Sequence, residues 1–98
     1  MIDFARIIGF DWDDGNRRKS EDKHGVGQAE AEQAFFNEPL LVDTGHSIEE
    51  PRFHALGTTN ARRSLHISFT LRADGTKIRV ISARDMHRKE LERYEEEN

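Results

Sequence analysis

Arg72, Lys77 and Arg79 stand on either side of an Asp-Gly dipeptide, Asp74-Gly75, and that spacing makes them a candidate anion site. Asp-Gly favours a two-residue hairpin turn. Folding the chain there sets Arg72 opposite Lys77, Thr70 opposite Arg79, Ser68 opposite Ile81 and His66 opposite Ala83. Strand side chains alternate between faces, so Arg72, Lys77, Arg79, Thr70 and His66 share one polar face. The other face carries Leu65, Ile67, Phe69, Leu71, Ile78 and Val80 and reads as core. Cations packed this closely repel one another unless an anion lies among them, and arginine is shaped to clamp a phosphate with two parallel hydrogen bonds. The competing reading is a solvated face whose cations pair with glutamates of a helix. Arg84 has core-facing parity in this register. It joins the cluster only from a strand end or behind a bulge.

Other chemistry-bearing residues are scattered. Lys23-His24 closes a predicted helix, where a cation either caps the helix or serves phosphate binding and proton transfer. Trp12, the single tryptophan, suits either an RNA-stacking role or a half-buried core position. The five histidines, His24, His46, His54, His66 and His87, form no HxxxH or HExxH pair, and there is no cysteine. A zinc site, a thiol nucleophile and a disulfide framework are therefore not expected. The stretch from Asp11 to Asn16 hints at a calcium loop but lacks the spacing, with Asp22 where the closing glutamate would stand. No phosphate-binding glycine loop is present, so no nucleotide cofactor is expected.

These residues need elements to hold them. Ile7–Trp12 reads as a short strand. A polar helix, capped by Asp13 or Asp14, runs through about Lys23 and is ended by His24-Gly25. Gln28–Phe36 has Ala31, Ala34 and Phe35 at helical spacing. Leu40–Asp43, Arg52–Thr58, Ser64–Arg72 and Lys77–Arg84 read as strands, with a loop from Gly45 to Pro51. From Met86 onward the chain is helical, with His87, Leu91 and Tyr94 on one face. The expected fold is α+β, in the order β-α-α-β-β-β-β-α with a mostly antiparallel sheet. A chain of 98 residues fits one domain, 1–98.

Charge is segregated. Residues 1–51 carry a balance of −7, residues 52–89 of +7 and residues 90–98 of −4. The basic stretch suits a nucleic acid or an acidic partner. Mutual neutralisation of the segments is the plain alternative. No leader-like or membrane-spanning run appears, and a reducing cytoplasm is the expected location.

Several short motifs occur in order: Phe10-Asp11-Trp12-Asp13, Lys23-His24-Gly25-Val26, Ala34-Phe35 with Pro39, Glu50-Pro51-Arg52, Leu56-Gly57, Thr70-Leu71-Arg72, Ile78 to Arg84, and Leu91 to Glu95. Together, over roughly residues 10–95, they resemble the BrnT family of type II toxin–antitoxin ribonucleases. The resemblance implies a RelE-like ribonuclease fold and metal-independent attack of a 2′-hydroxyl on the adjacent phosphate. It implies catalytic roles for Arg72, Arg79, Arg84, Lys23 and His24, and RNA contacts from Trp12, Lys77, His66 and Tyr94. His24, His46 or His66, or instead Lys23 or Tyr94, would move protons, and the residues do not choose among them. The implied partners are RNA and a BrnA-like ribbon-helix-helix antitoxin, with two toxins on an antitoxin dimer and promoter DNA reached only through the antitoxin. Asn16, Ser20, Gln28 and Met86 depart from the family pattern. The alternatives are a catalytically silent toxin-like binding module and an unrelated small enzyme or structural protein.

Overall fold

A computed structural model describes residues 4–42 and 52–97. Asp43, the expected loop from Gly45 to Pro51 and His46 lie outside the described residues. After one 3-10 turn, Phe4–Arg6, the elements are β1 Gly9–Phe10, α1 Asp14–His24, α2 Gln28–Phe36, β2 Leu40–Val42, β3 Phe53–Thr58, β4 Ser64–Arg72, β5 Lys77–Asp85 and α3 Arg88–Glu97. The α+β class and the element order match the expectation. No described helix is long and apolar enough to cross a membrane.

The five strands lie in the order β1-β5-β4-β3-β2. All neighbours are antiparallel except β1, which pairs parallel with β5 through Gly9↔Lys77 and Phe10↔Ile78. The expected strand Ile7–Trp12 shrinks to those two paired residues. Hydrogen bonds from Ile8 N–H to the Thr76 carbonyl and from Asp11 N–H to the Ile78 carbonyl bracket them. Beyond Asp11 the chain turns towards α2, where the Trp12 indole N–H donates to Glu32 Oε2 at 2.8 Å.

The first face of the sheet is the core. Leu65, Ile67 and Phe69 of β4, Ile78, Val80 and Ala83 of β5, and Ala55 of β3 pack against Val26, Ala31, Ala34 and Phe35. The Phe35 ring meets Phe69 edge-on, with centroids 5.0 Å apart. Helix α2 sits close enough that a Cβ added to Gly57 would lie 2.8 Å from the Ala34 carbonyl oxygen. At the edge of this face Ile8 and Phe36, exposed by 77% and 73%, flank an open apolar groove of about 550 Å³ with Phe4, Phe10 and Pro39.

Gly25 ends α1 as expected, with φ +64° and its N–H on the Glu21 carbonyl. Arg63 then fastens that end. Its guanidinium donates to the carbonyls of Gly25 (2.8 Å) and His24 (3.1 Å), to Asp85 Oδ1 (2.7 Å) and Oδ2 (3.2 Å), and to Glu30 Oε2 (3.2 Å).

On the second face, Leu56 is buried opposite His66, and α3 lies over β3, with Tyr94 Oη 3.3 Å from Thr58 Oγ1. Helix α3 starts two residues later than expected, because the Met86 N–H extends the sheet ladder to the Ser64 carbonyl. Glu90 secures its first turn: Oε1 accepts from the His87 N–H at 2.7 Å and from Arg84 Nη1 at 2.8 Å.

Two measurements check this packing. Gly57→Ala should lower unfolding free energy by about 1–3 kcal/mol, the usual range for overpacking. A chemical-denaturation curve unchanged by the added methyl would contradict the close approach of α2. Arg84 and the His87 N–H hold the Glu90 carboxyl at about 2 against an ordinary value of 4.5. A carboxylate lowered in the folded state adds stability above its unfolded value, and that stability is lost as pH falls from about 4.5 to about 2. Acid titration of Glu90→Gln should therefore show a shallower loss over this window than wild type. Parallel curves would count against the ion pair.

Candidate active site

The β4–β5 hairpin keeps the expected register from Arg72↔Lys77 through Thr70↔Arg79 to Phe69↔Val80. Its connection is a four-residue loop rather than a two-residue turn, with positive φ at Ala73, Asp74 and Gly75. Past Val80 the register shifts, since Ser68 pairs with Ser82 and Ile81 is an extra residue. Ser68 is thus not opposite Ile81, nor His66 opposite Ala83. Ala83 pairs with Ile67 on the core face, and Arg84 pairs with His66 on the polar face. The core-facing parity of Arg84 is thereby corrected. The bulge turns it outward, the route by which it was expected to join the cluster.

A polar network occupies the second face. His54 Nδ1 lies 3.3 Å from His66 Nε2 and 3.0 Å from Ser68 Oγ. His66 Nε2 is 3.7 Å from Glu90 Oε2. Both Glu90 oxygens accept from Arg84, at 2.8 and 2.9 Å. Burial, and then the positive charge of Arg84, lower both imidazoles from their ordinary value, and Arg52 lowers His54 further. Both rings are therefore neutral near pH 7, with one face of the pair bonded to the other. Such an arrangement accepts and passes protons.

Arg79 shares this face by register, but its charge is already matched. It donates to Asp13 Oδ2 at 2.6 Å and reaches Asp11 Oδ2 at 3.6 Å. Bonding to Asp13 raises its proton affinity, so it is a permanent cation. Arg72 and Lys77, a paired and exposed couple, close the row at the loop end. From His66 to Thr70 the row spans about 13 Å, at roughly 3.3 Å per residue.

Of the residues expected from sequence, His66 and Arg84 are cross-strand partners, Arg72, Lys77 and Arg79 continue the same face, and Tyr94 lies on α3 against Thr58 of β3. Lys23 and His24 do not join. They are exposed at the end of α1, where the His24 carbonyl accepts from Arg63. Trp12 packs against the core and bonds Glu32, to which Gln28 also donates, at 3.2 Å. That is the core position weighed for it. Sequence reasoning missed His54, Glu90 and the aspartates on Arg79. Alternation through Arg52, His54, Leu56 and Thr58 was the available signal for His54. The three-residue spacing from His87 to Glu90 was the signal for the helix start.

Residues 12–90 match the family model described as the ribonuclease toxin, BrnT, of type II toxin–antitoxin systems. Among solved structures, the crystal structure of the Brucella abortus ribonuclease toxin BrnT is similar, with a TM-score of 0.63 and 22% identity over 83% of this chain and 99% of that one. No individual curated protein matches. The family match spans most of the chain, and the neighbour carries the same fold. The chain belongs to the BrnT family of ribonuclease toxins of type II toxin–antitoxin systems.

Proposed function

We propose that this toxin cleaves RNA without a metal ion, on the second sheet face, by attack of a 2′-hydroxyl on the adjacent phosphate. One observation carries the reading: two imidazoles, His54 and His66, bonded to each other at 3.3 Å on the face that also carries Arg72, Arg79 and Arg84. The reaction builds negative charge on the phosphate oxygens and needs a proton acceptor at the 2′-oxygen. Arg79, Arg84 and Arg72, with Lys77, supply the positive charge, and fixed donors of this kind are usually the largest single contribution to such catalysis. Arg79 and Arg84 are oriented by their carboxylates, yet each guanidinium has five N–H donors, more than those carboxylates use. Tyr94, on α3 against Thr58, suits contact with a base or ribose. Lys23, His24 and Trp12, implied by the family pattern, find no support from this face.

A second reading has its own observation. Arg79 and Arg84 are both ion-paired within the chain, which suits a silent module that binds its antitoxin without cleaving. The partner in either case is an antitoxin. We take it to be a ribbon-helix-helix protein of the BrnA type, with two toxins on an antitoxin dimer, acting in the cytoplasm and reaching promoter DNA only through the antitoxin. The basic stretch 52–89 suits acidic antitoxin residues, and complementary charge speeds encounter.

The purified chain should degrade RNA in EDTA. Activity lost on chelation and restored by a divalent ion would refute the metal-free mechanism. RNA left intact under all conditions would favour the silent module. Arg79→Ala should cut the cleavage rate on the order of 100-fold, while exposed ion pairs of this kind change stability by only about 1 kcal/mol or less. Full activity in that variant, or its unfolding, would move the anion site elsewhere. Co-expression with the adjacent antitoxin gene should yield a complex that co-purifies. Separate elution of the two proteins would contradict the pairing.

A further inference from the structure

Resting on the reading of this face as the RNA-cleaving site, we propose that His54 is its general base, acting through Nε2, and that His66 and Glu90 stand behind it as positioning residues. The assignment follows from which ring nitrogens are already engaged. His54 Nδ1 faces His66 Nε2 at 3.3 Å and Ser68 Oγ at 3.0 Å. A base acting through Nε2 needs the tautomer with the hydrogen on Nδ1, and both of these neighbours can accept it there. The lone pair is then on Nε2, which bonds no described residue. The His66 side chain is only 12% exposed and its Nε2 already faces His54 and Glu90, so it is closed to substrate.

The chain of groups then runs Glu90, His66, His54. When His54 Nε2 takes the 2′-hydroxyl proton, the Nδ1 proton passes to His66 Nε2. His54 returns to neutrality, and the new positive charge rests on His66, beside Glu90 Oε2 at 3.7 Å. The 2′-oxygen bonds to phosphorus. The bond from phosphorus to the 5′-oxygen breaks, and that oxygen leaves with the electron pair and takes a proton from solvent. The products are a 2′,3′-cyclic phosphate and a 5′-hydroxyl. The dyad then returns its proton to solvent through His54 Nε2. Two hydrogens cannot sit between the facing nitrogens, so the pair holds one extra proton and no more.

Every charged group facing the pair bears on its titration. Burial, Arg84 and Arg52 favour the neutral His54 and Glu90 opposes them, while burial and Arg84 act on His66 against Glu90. A base of lowered proton affinity is available at neutral pH.

The test is the rate of cleavage of a short RNA oligonucleotide against pH, in EDTA, for the full chain. Wild type should show an acid limb reporting protonation of the dyad. His54→Gln should lose on the order of 100-fold or more in rate, the usual contribution of a general base. Glu90→Gln removes a negative charge beside the pair, so its acid limb should move to lower pH by roughly 0.7 unit or more, for a charge at this range. A purely structural Glu90 would lower the melting temperature and leave the limb in place. Cleavage by His54→Gln at the wild-type rate overturns the assignment, as does a Glu90→Gln limb that stays or moves upward. A wild-type chain that leaves RNA intact overturns the underlying reading of the face and this assignment with it.

Discussion

Side-chain alternation in β5 is the constraint on which the polar second face depends. Ile78 and Val80 point into the core, so strict alternation would send Arg84 after them. An unmatched guanidinium in that core would cost several kcal/mol. The extra residue Ile81 inverts the parity once, returns Ala83 to the core and sets Arg84 beside His66. Glu90 follows Arg84, and with Glu90 comes the first turn of α3. One inserted residue thus decides which imidazole meets which carboxylate, and where the last helix lies.

The segregation of charge along the chain is resolved at three arginines. Arg63 draws Glu30 and Asp85 together with the end of α1, Arg79 takes Asp11 and Asp13, and Arg84 takes Glu90. Arg63 and Arg79 reach carboxylates of the acidic first segment, 33 and 66 residues away, while Arg84 reaches the acidic last segment only six residues on. Asp85 is held below its usual range by Arg63 for the same reason. Mutual neutralisation and an anion-binding face were competing readings of the composition. In the folded chain they are compatible, because the carboxylates orient the guanidinium groups without consuming all their donors.

Much of the fold was legible because its signals are local. Gln28–Phe36 and Ser64–Arg72 have the bounds that periodicity indicates, and Gly25 stops α1 where a left-handed residue was expected. The hairpin register was readable as far as Val80, since it follows from the turn alone. Beyond it nothing in Ile81-Ser82 announces an extra residue, as either fits a strand. His54 was hidden for another reason. Its neighbour His66 lies across the Thr59–Arg63 connection, whose length sets the β3–β4 register and ends in an arginine pair with Arg62 at φ +67°. The parallel pairing of β1 and the Arg79 aspartates depend on contacts across most of the chain, beyond any local pattern.

That parallel strand also bears on how the molecule assembles. Strands β3, β4 and β5 are joined by short connections, so their pairing closes small loops. Docking β1 on β5, with Arg6 reaching the Asp74 carbonyl, joins residues 68 apart in sequence. Loop-closure entropy rises with that separation, and non-local pairings form slowly. The histidine pair therefore belongs to the part of the chain that is cheapest to order. The aspartates that hold Arg79 arrive with the contact that is most expensive to order. Local opening of the native state should follow the same division. Release of β1 alone would strip Arg79 of both carboxylates while the β3–β4–β5 meander and its imidazoles stayed in register.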